Sequence, residues 1–330
     1  MGGTSIFAVE TGVLFFILFG LLIGILFGFF GLGGSFFVTP ALLVLNHPPA
    51  AAVGSGLVFV FGTSLSAVVS HRRLGHIDYK LGFLLILGMT IGIEVGKRGL
   101  FILVAKGIAD LVISIIYVGL LLVVGLFVLR DASTNQLEED GGVDESLIRR
   151  IGTIQCPPMV SFKGNVTASV WVVLLIAFVT GVLAGFLGVG GGFLVLPSLL
   201  YGLTLPEAIA VGTDIFQISV SSGYGAFLYA QSDAVHLSAV LPLLGGSVFG
   251  AYFGSQLTEF VNETKFKGIF AGMLLIDSAA VASKTVSHAY GIAFLHVLSL
   301  VLLFGTALFV TLIVVSFGTK NYLQNQQQVG

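Results

Sequence analysis

Two glycine-rich segments of this chain have the residue types and spacing to bind a negatively charged ligand. The segments GFFGLGGSFFVTP (28–40) and GFLGVGGGFLVLP (185–197) place glycine at the first, fourth, sixth and seventh positions and proline at the thirteenth. Each glycine lowers helix stability by about 1 kcal/mol relative to alanine. Both segments are therefore predicted to interrupt a helix and to leave backbone N–H groups without helical partners.

An interruption of this kind suits an anion, because free N–H groups and the positive end of the restarting helix attract negative charge. Pro40 and Pro197 are expected in the first turn of the new helices. The alternative is that the glycines only allow helices to cross closely. The predicted anion-binding residues of the two interruptions, which would together form one pocket, are Gly31, Gly33, Gly34, Ser35, Gly188, Gly190, Gly191 and Gly192.

Polar side chains that follow the interruptions extend the candidate site. Ser55 and Thr213 occupy matching positions and could donate hydrogen bonds to an oxyanion, although such hydroxyls often bond to their own helix. Gln217 is a further candidate ligand, and Asp214, one turn earlier, either carries a coupling proton or orients the opposite interruption. Other hydroxyls follow on the same two segments: Thr63, Ser64, Ser66, Ser219, Ser221 and Ser222.

The elements that position these residues are predicted to be membrane helices. Of the 330 residues, 56% are hydrophobic and only 9% are charged, too few for the surface of a soluble domain. A helix crosses a bilayer in about 20 residues, and two longer apolar runs, 11–45 and 170–203, contain the glycine interruptions. We predict an all-α polytopic membrane protein with about seven full spans near 53–70, 81–96, 108–129, 209–229, 236–256, 266–283 and 291–317.

The chain also contains an internal repeat. With a shift of 157 residues, 12 of 22 positions are identical between 24–45 and 181–202, and with a shift of 158 residues the match continues for 5 of 7 positions between 48–54 and 206–212. At the second shift Gly88, Gly92 and Gly96 fall on glycines of the second half, at 246, 250 and 254. Small residues at this spacing form one smooth helix face, so both helices are predicted to pack closely against partners.

Basic residues indicate how the two halves are oriented. If each interrupted run is a re-entrant hairpin that returns to its own side, three spans remain in the first half and the second half is inverted. Ten of the 14 basic residues then lie on one side, whereas parallel halves divide them eight to six. Because cytoplasmic loops are enriched in Lys and Arg, we predict inverted repeats, each opening with a glycine-broken re-entrant hairpin.

These features divide the chain into four regions. Residues 1–130 form the first transmembrane repeat, 131–168 an extramembrane linker on the cytoplasmic side, 169–285 the second repeat, and 286–330 an extra helix with a polar tail. The end of the linker could form a short hairpin around Pro157 and Pro158.

Three features near span ends are expected to be structural. Glu94 is expected to pair with Lys97 or Arg98, while Lys284 and the nearby His288 are expected to extend to the membrane interface.

Composition excludes several function classes. A net charge of −2 gives no sign of a nucleic-acid partner,. The single cysteine, Cys156, cannot form an intrachain disulfide, and the six histidines show no metal-ligand spacing. We therefore predict no metal and no cofactor. The chain also shows no nucleophile with a positioned base, so we predict no enzymatic activity. The oligomeric state stays open.

The paired glycine motifs, the string AVGTDIF (210–216) and the loop HRRLGHIDYKLG (71–82) resemble the TauE/SafE sulfite exporter family. The resemblance covers nearly the whole chain outside 131–168 and the tail. It implies a multi-pass protein of the cytoplasmic (inner) membrane that moves sulfite or a small organosulfur anion, such as a sulfonate, sulfoacetate or thiosulfate, without ATP hydrolysis. The matching positions are Gly31, Gly33, Gly34, Pro40, Gly188, Gly190, Gly191, Gly192, Pro197, Thr213 and Asp214. Ser35 departs from the family pattern, which usually has glycine there.

The leading hypothesis is a secondary transporter that alternates access around the two interruptions. Its partners would be a small anion, the lipid bilayer and, if transport is coupled, protons. A passive anion channel is the alternative.

Overall fold

The fold is described from a computed structural model, which covers residues 3–30, 35–134, 157–164, 166–257 and 263–329. Within these residues the chain forms α-helices and one short β-hairpin. In the first half of the chain the helices are α1 (Gly3–Phe30), α2 (Ser35–Val44), α3 (Pro49–Arg73), α4 (Tyr79–Ala105) and α5 (Ala109–Thr134). The hairpin strands β1 (Met159–Phe162) and β2 (Val166–Ser169) follow, and then α6 (Val170–Leu187), α7 (Gly192–Pro197), a π-helical turn (Ser198–Gly202), α8 (Glu207–Ala230), α9 (Leu237–Leu257), α10 (Glu263–Tyr290) and α11 (Ala293–Val329).

Every predicted span lies within one of these helices, apart from at most two residues at one end, which confirms an all-α polytopic membrane protein. Seven helices among the described residues are long and apolar enough to cross a bilayer: α3, α4, α5, α6, α9, α10 and α11. This set differs from the prediction at one place, because α6 belongs to it and α8 does not. Helix α8 carries the polar residues Glu207, Asp214 and Gln217 and is not among the seven.

The chain forms two compact units, and each unit takes helices from both halves of the sequence. Unit 1 comprises Met1–His47, Asp110–Gly142 and Leu237–Gly330; unit 2 comprises Pro48–Ala109 and Val143–His236. The compact units therefore divide the chain differently from the sequence repeats, whose boundaries remain a prediction.

In unit 1, α1 packs against α9 through glycines on both helices. A Cβ atom added at Gly24 would lie 2.7 Å from Ser247 Cα, and one added at Gly28 would lie 2.7 Å from Ala251 Cα. From the other side, a Cβ atom at Gly250 would lie 2.8 Å from Ile25 N. These distances are too short for any side chain, so the two backbones touch.

Unit 2 contains the repeat-equivalent interface between α4 and α6. A Cβ atom at Gly181 would lie 2.8 Å from Met89 Cα, and one at Gly185 would lie 2.7 Å from Ile93 Cα. A Cβ atom at Gly92 would lie 2.7 Å from Val182 N. The predicted close packing of the glycine faces is thereby confirmed, and in each unit the partner helix comes from the other sequence repeat.

The directions of the helices in unit 2 follow from their contacts. Gly54, early in α3, faces Tyr229 at the end of α8, and Leu57 contacts Gly225, so these two repeat-equivalent helices run antiparallel. By contrast, α4 runs parallel to α8, because Gly82 contacts Phe216 and Ile93, eleven residues further along, contacts Gly225. The pairs across α4 and α6 also advance together, so α4, α6 and α8 share one direction.

The β-hairpin is part of the apolar core of unit 2. Its strands pair antiparallel with Phe162 opposite Val166, so the turn follows Phe162 and includes Lys163 and Gly164. The prediction of a hairpin around Pro157 and Pro158 placed the turn too early. Phe162 is 5% exposed and packs in one cluster with Leu81 and Leu205.

Candidate functional site

The glycine interruption of the second half is present in the structure. Helix α6 ends at Leu187, and Gly188 takes a left-handed conformation with φ 78° while its N–H donates to Ala184 O at 2.8 Å. Gly190 and Gly191 are also left-handed, with φ 73° and 89°. Side chains rarely adopt this backbone conformation, which explains the glycines. The chain resumes a helix at Gly192, as α7.

After the interruption the chain runs back along α8. Gly190 lies beside Ser222, whose Oγ would be 3.4 Å from an added Cβ atom, and Gly192 lies beside Asp214, whose Oδ2 would be 2.9 Å from one. Two further helices line the interruption, since added Cβ atoms at Gly190 and Gly191 would meet Val60 of α3 and Met89 of α4. The glycines therefore lie in the interior of unit 2.

One part of α8 carries buried polar groups beside the interruption. Asp214 is 4% exposed, and its Oδ1 accepts a hydrogen bond from Gln217 Nε2 at 2.9 Å. Ser221 and Ser222 are fully buried, and neither hydroxyl has a hydrogen-bond partner in the described part of the chain. The same holds for Gln217 Oε1.

The backbone adds donors at the same place. The N–H groups of Gly190 and Gly191 donate no hydrogen bond to another described residue. A buried donor without a partner costs about 1–3 kcal/mol, so this cluster of unpaired neutral donors favours a bound acceptor.

The two hydroxyls predicted to bind substrate already have backbone partners. Ser55 Oγ accepts a hydrogen bond from His236 N at 2.9 Å, and Thr213 Oγ1 accepts one from Asp78 N at 2.9 Å. The two acceptors are 158 positions apart, and so are the two donors, Asp78 and His236. Because this is the shift between the repeats, equivalent residues form the same bond in both. Both hydroxyls thus stabilise the segment before a helix of the other repeat, and their role as substrate ligands remains a prediction.

The interruption of the first half is described only at its ends. Helix α1 ends at Phe30 and α2 begins at Ser35. The predicted ligands Gly31, Gly33 and Gly34 lie outside the described residues, as does the side chain of Ser35. The pocket predicted from both interruptions therefore remains a prediction.

The prediction that the two prolines begin new helices was wrong. Pro40 is inside α2, five residues after its start, and Pro197 is the last residue of α7. The helix continues past Pro197 as a π-helical turn, in which Leu203 N donates to Ser198 O at 3.0 Å. The glycines alone make the interruption.

Lys284 is also placed differently from its prediction. Its side chain is 4% exposed, and its Nζ lies 2.5 and 2.6 Å from the two carboxylate oxygens of Asp110. The predicted helical pair of Glu94 with Arg98 is confirmed at 3.0 Å, while Lys97 donates to Leu228 O at 2.7 Å.

Sequence reasoning missed a polar cluster that fixes the N-terminal end of α4. Asp78 Oδ1 accepts from Lys80 N at 2.9 Å and Leu81 N at 3.1 Å, and its Oδ2 accepts from Lys163 N at 2.6 Å. Lys163 Nζ in turn donates to Gly75 O and Ile77 O, at 3.0 and 2.8 Å. The Asp before an apolar helix is an N-cap signal, but its link to the hairpin has no local signature.

Apolar helices of membrane length and, in unit 2, a buried polar interruption characterise an integral multi-pass membrane transporter. The family model for the sulfite exporter TauE/SafE matches residues 16–281. The chain belongs to this family, as its motifs indicated.

Relatives named as probable membrane transporter proteins support this class. YunE of Bacillus subtilis (strain 168) is 26% identical over 74% of this chain and 87% of its own length. YjnA of the same organism is 27% identical over 79% of this chain and 96% of its own length. A protein of Xylella fastidiosa (strain Temecula1) is 26% identical over 74% of this chain and 85% of its own length. No solved structure matches the chain.

Proposed function

We propose that this protein is a secondary transporter that moves a small anion, sulfite or a small organosulfur anion, across the cytoplasmic membrane. The observation that carries the proposal is the set of unpaired donors in unit 2. The hydroxyls of Ser221 and Ser222 and the N–H groups of Gly190 and Gly191 are buried without partners among the described residues, and Gly190 lies beside Ser222. An oxyanion accepts several hydrogen bonds at once and would satisfy them.

Neutral donors suit a transporter better than a fixed cation would. A Lys or Arg in the site would hold an anion strongly, whereas release on the far side requires moderate affinity. Asp214 lies on the same helix, and its carboxylate is engaged by the Gln217 amide. We assign Asp214 the role of orienting Gln217 and the glycine interruption, because an ionised carboxylate would repel the cargo.

Helix directions in unit 2 support inverted repeats. The equivalent helices α3 and α8 contain matching residues, yet they run antiparallel within one compact unit. Such a pair is expected when the two halves have opposite orientations in the membrane. The basic residues agree, since inversion places ten of the 14 on the cytoplasmic side, together with the linker 131–168,.

The same contacts support a re-entrant hairpin. Helices α6 and α8 share one direction, so the chain must return between Leu187 and Glu207. The return begins at the glycines and passes from Ser222 back to Asp214 along α8. Inversion further requires an equivalent hairpin in the first half, which would leave that half with three spans. Alternating access would then move elements around the interruption.

Ligand-induced stabilisation tests the binding site. Sulfite, thiosulfate and sulfoacetate are added in turn to the purified protein, and the thermal midpoint is compared among wild type, Ser221→Ala, Ser222→Ala and the control Ser247→Ala. Ser247 is equally buried, but its hydroxyl already donates to Leu244 O at 2.9 Å. We expect stabilisation in wild type and the control and a weaker effect in the two site variants. An absence of stabilisation by any anion, or equal responses in all variants, would refute the site.

Flux through proteoliposomes separates a transporter from a channel. A transporter gives saturable uptake that is accelerated by unlabelled anion on the opposite side. A linear, voltage-driven current without such exchange would establish the passive channel instead.

A further inference from the structure

We propose that Asp277, in the interior of unit 1, binds a proton whose uptake and release is coupled to transport. This inference rests on the proposed transport function but concerns a different part of the chain. Asp277 lies near the middle of the apolar stretch Gly268–Tyr290 of α10. Its side chain is 2% exposed, so the carboxyl group is removed from water.

The contacts of Asp277 are fully satisfied only when its carboxyl group carries a proton. Thr306 Oγ1 of α11 lies 3.0 Å from Asp277 Oδ1, 2.7 Å from Leu302 O and 3.1 Å from Leu303 O. A hydroxyl has one proton but can also accept. If Thr306 donates to the nearer carbonyl, the contact with Asp277 requires a proton on the carboxyl group. A protonated Asp277 therefore satisfies both contacts, whereas an ionised one competes with the carbonyls for a single proton.

Within the described part of the chain, no positively charged side chain contacts Asp277. The other carboxylate oxygen, Oδ2, is buried and has no hydrogen-bond partner among the residues that the structure describes. Lys284, two turns along α10, is held by Asp110. Helices α2, α5 and α11 pack against α10, through contacts that include Ser278 Oγ to Val118 O at 3.0 Å. The titratable side chains described on these helices and on the rest of α10 are Asp110, Tyr117, Arg130, Lys284, His288, Tyr290 and His296. None of them has a described hydrogen bond or ion pair to Asp277.

Asp214 and Asp277, the two buried carboxyl groups that lie within described helices, differ in this respect. Asp214 Oδ1 accepts from Gln217 Nε2, a donor for which no second acceptor is described, so an ionised Asp214 keeps a hydrogen bond,. Asp277 faces a hydroxyl, which can donate or accept and therefore suits both protonation states. An ionisable residue inside a membrane protein is a candidate for proton relay, and this difference assigns that role to Asp277 rather than to Asp214.

Infrared spectroscopy tests the proton directly, without any cargo. Purified wild type, Asp277→Asn and Asp214→Asn are compared at neutral pH for the carbonyl stretch of a protonated carboxyl group. The band is expected in wild type and Asp214→Asn, and the component that Asp277 contributes should be missing from Asp277→Asn. Equal spectra for wild type and Asp277→Asn would overturn the proton site.

Flux measurements test the coupling. Thiosulfate serves as the probe, since it stays a dianion near neutral pH and carries no proton itself. Wild type should exchange thiosulfate and respond to an imposed pH gradient, whereas Asp277→Asn should keep the exchange and lose the response. Thr306→Val should alter the pH at which the response appears. The control Thr311→Val removes another buried hydroxyl of α11, which bonds to Ala307 O at 2.7 Å, and should behave as wild type.

The outcomes distinguish the two proposals. A gradient response of Asp277→Asn equal to that of wild type would overturn the coupling while leaving the transport function intact. Wild-type protein that shows no anion exchange would overturn both the transport function and the coupling, and the infrared band would then decide the proton site alone.

Discussion

The close contact of α9 with α1 predicts that replacing two adjacent glycines by alanine changes the free energy of unfolding differently. A Cβ atom added at Gly246 would collide with the carbonyl oxygen of Ile17 and would lie 2.8 Å from Leu21 N, whereas one added at Gly245 would meet nothing within 4 Å. Both positions lie in the same helix turn of α9. The pair Gly246→Ala and Gly245→Ala therefore compares one added methyl group on the packed and the open face of a single helix.

The expected magnitude follows from that comparison. Ordinary contact begins at 3.4 Å, so the 2.8 Å separation from Leu21 N must grow by at least 0.6 Å. Overpacking of this kind costs about 1–3 kcal/mol. The helix propensity gained when alanine replaces glycine is about 1 kcal/mol in both variants and cancels between them. Gly246→Ala should therefore be less stable than Gly245→Ala by about 1–3 kcal/mol.

Denaturant unfolding of the purified protein in detergent, followed by circular dichroism, measures this difference. The repeat-equivalent substitution Gly88→Ala should behave like Gly246→Ala, because an added Cβ atom would lie 2.8 Å from Leu174 O. Equal free energies of unfolding for the two adjacent α9 variants would refute the conclusion that backbone contact, rather than glycine content, holds these helices together.

Three further predictions concern polar contacts. Thr213→Val leaves Asp78 N–H unpaired and should lower the free energy of unfolding by about 1–3 kcal/mol, while anion-induced stabilisation persists; loss of that stabilisation would make Thr213 a ligand. Asp78→Ala removes the acceptor of Lys163 N and should expose the hairpin, so limited proteolysis should cut there faster than in wild type. Lys284→Met leaves the partly exposed Asp110 carboxylate without its cation and should cost up to about 3 kcal/mol in chemical unfolding; adding Asp110→Leu should recover most of that loss.

Local features of the sequence were sufficient for the helices and the second interruption. Long apolar runs determine where membrane helices lie, because backbone groups in lipid must bond within the helix. Glycines at 188, 190 and 191 interrupt the helix through their own backbone preference, independent of the rest of the chain. The close packing of Gly92 and Gly250 was also predictable, since their spacing defines a smooth face on a single helix.

Features that depend on distant partners were not predictable. Lys284 lies near the end of its span, where extension to the interface is the usual outcome, but Asp110 is 174 residues away in the sequence and pairs with it. The bond from Asp78 to the hairpin turn spans 85 residues. The sequence cannot distinguish Ser221 and Ser222 from the other hydroxyls of α8. Only the folded structure shows that their hydroxyls have no described partner and that the glycine interruption passes beside Ser222.

The pairing of each glycine-rich helix with a helix of the other repeat has a consequence for biosynthesis. Helix α1 ends at Phe30, but its partner α9 begins at Leu237, so the glycine face of α1 enters the membrane long before the partner is made. Neither repeat can complete its backbone contacts alone. The two halves, produced as separate polypeptides, should therefore be unstable individually and should assemble when they are made in the same membrane. Cellular membrane-insertion factors would have to shield the early helix during the interval.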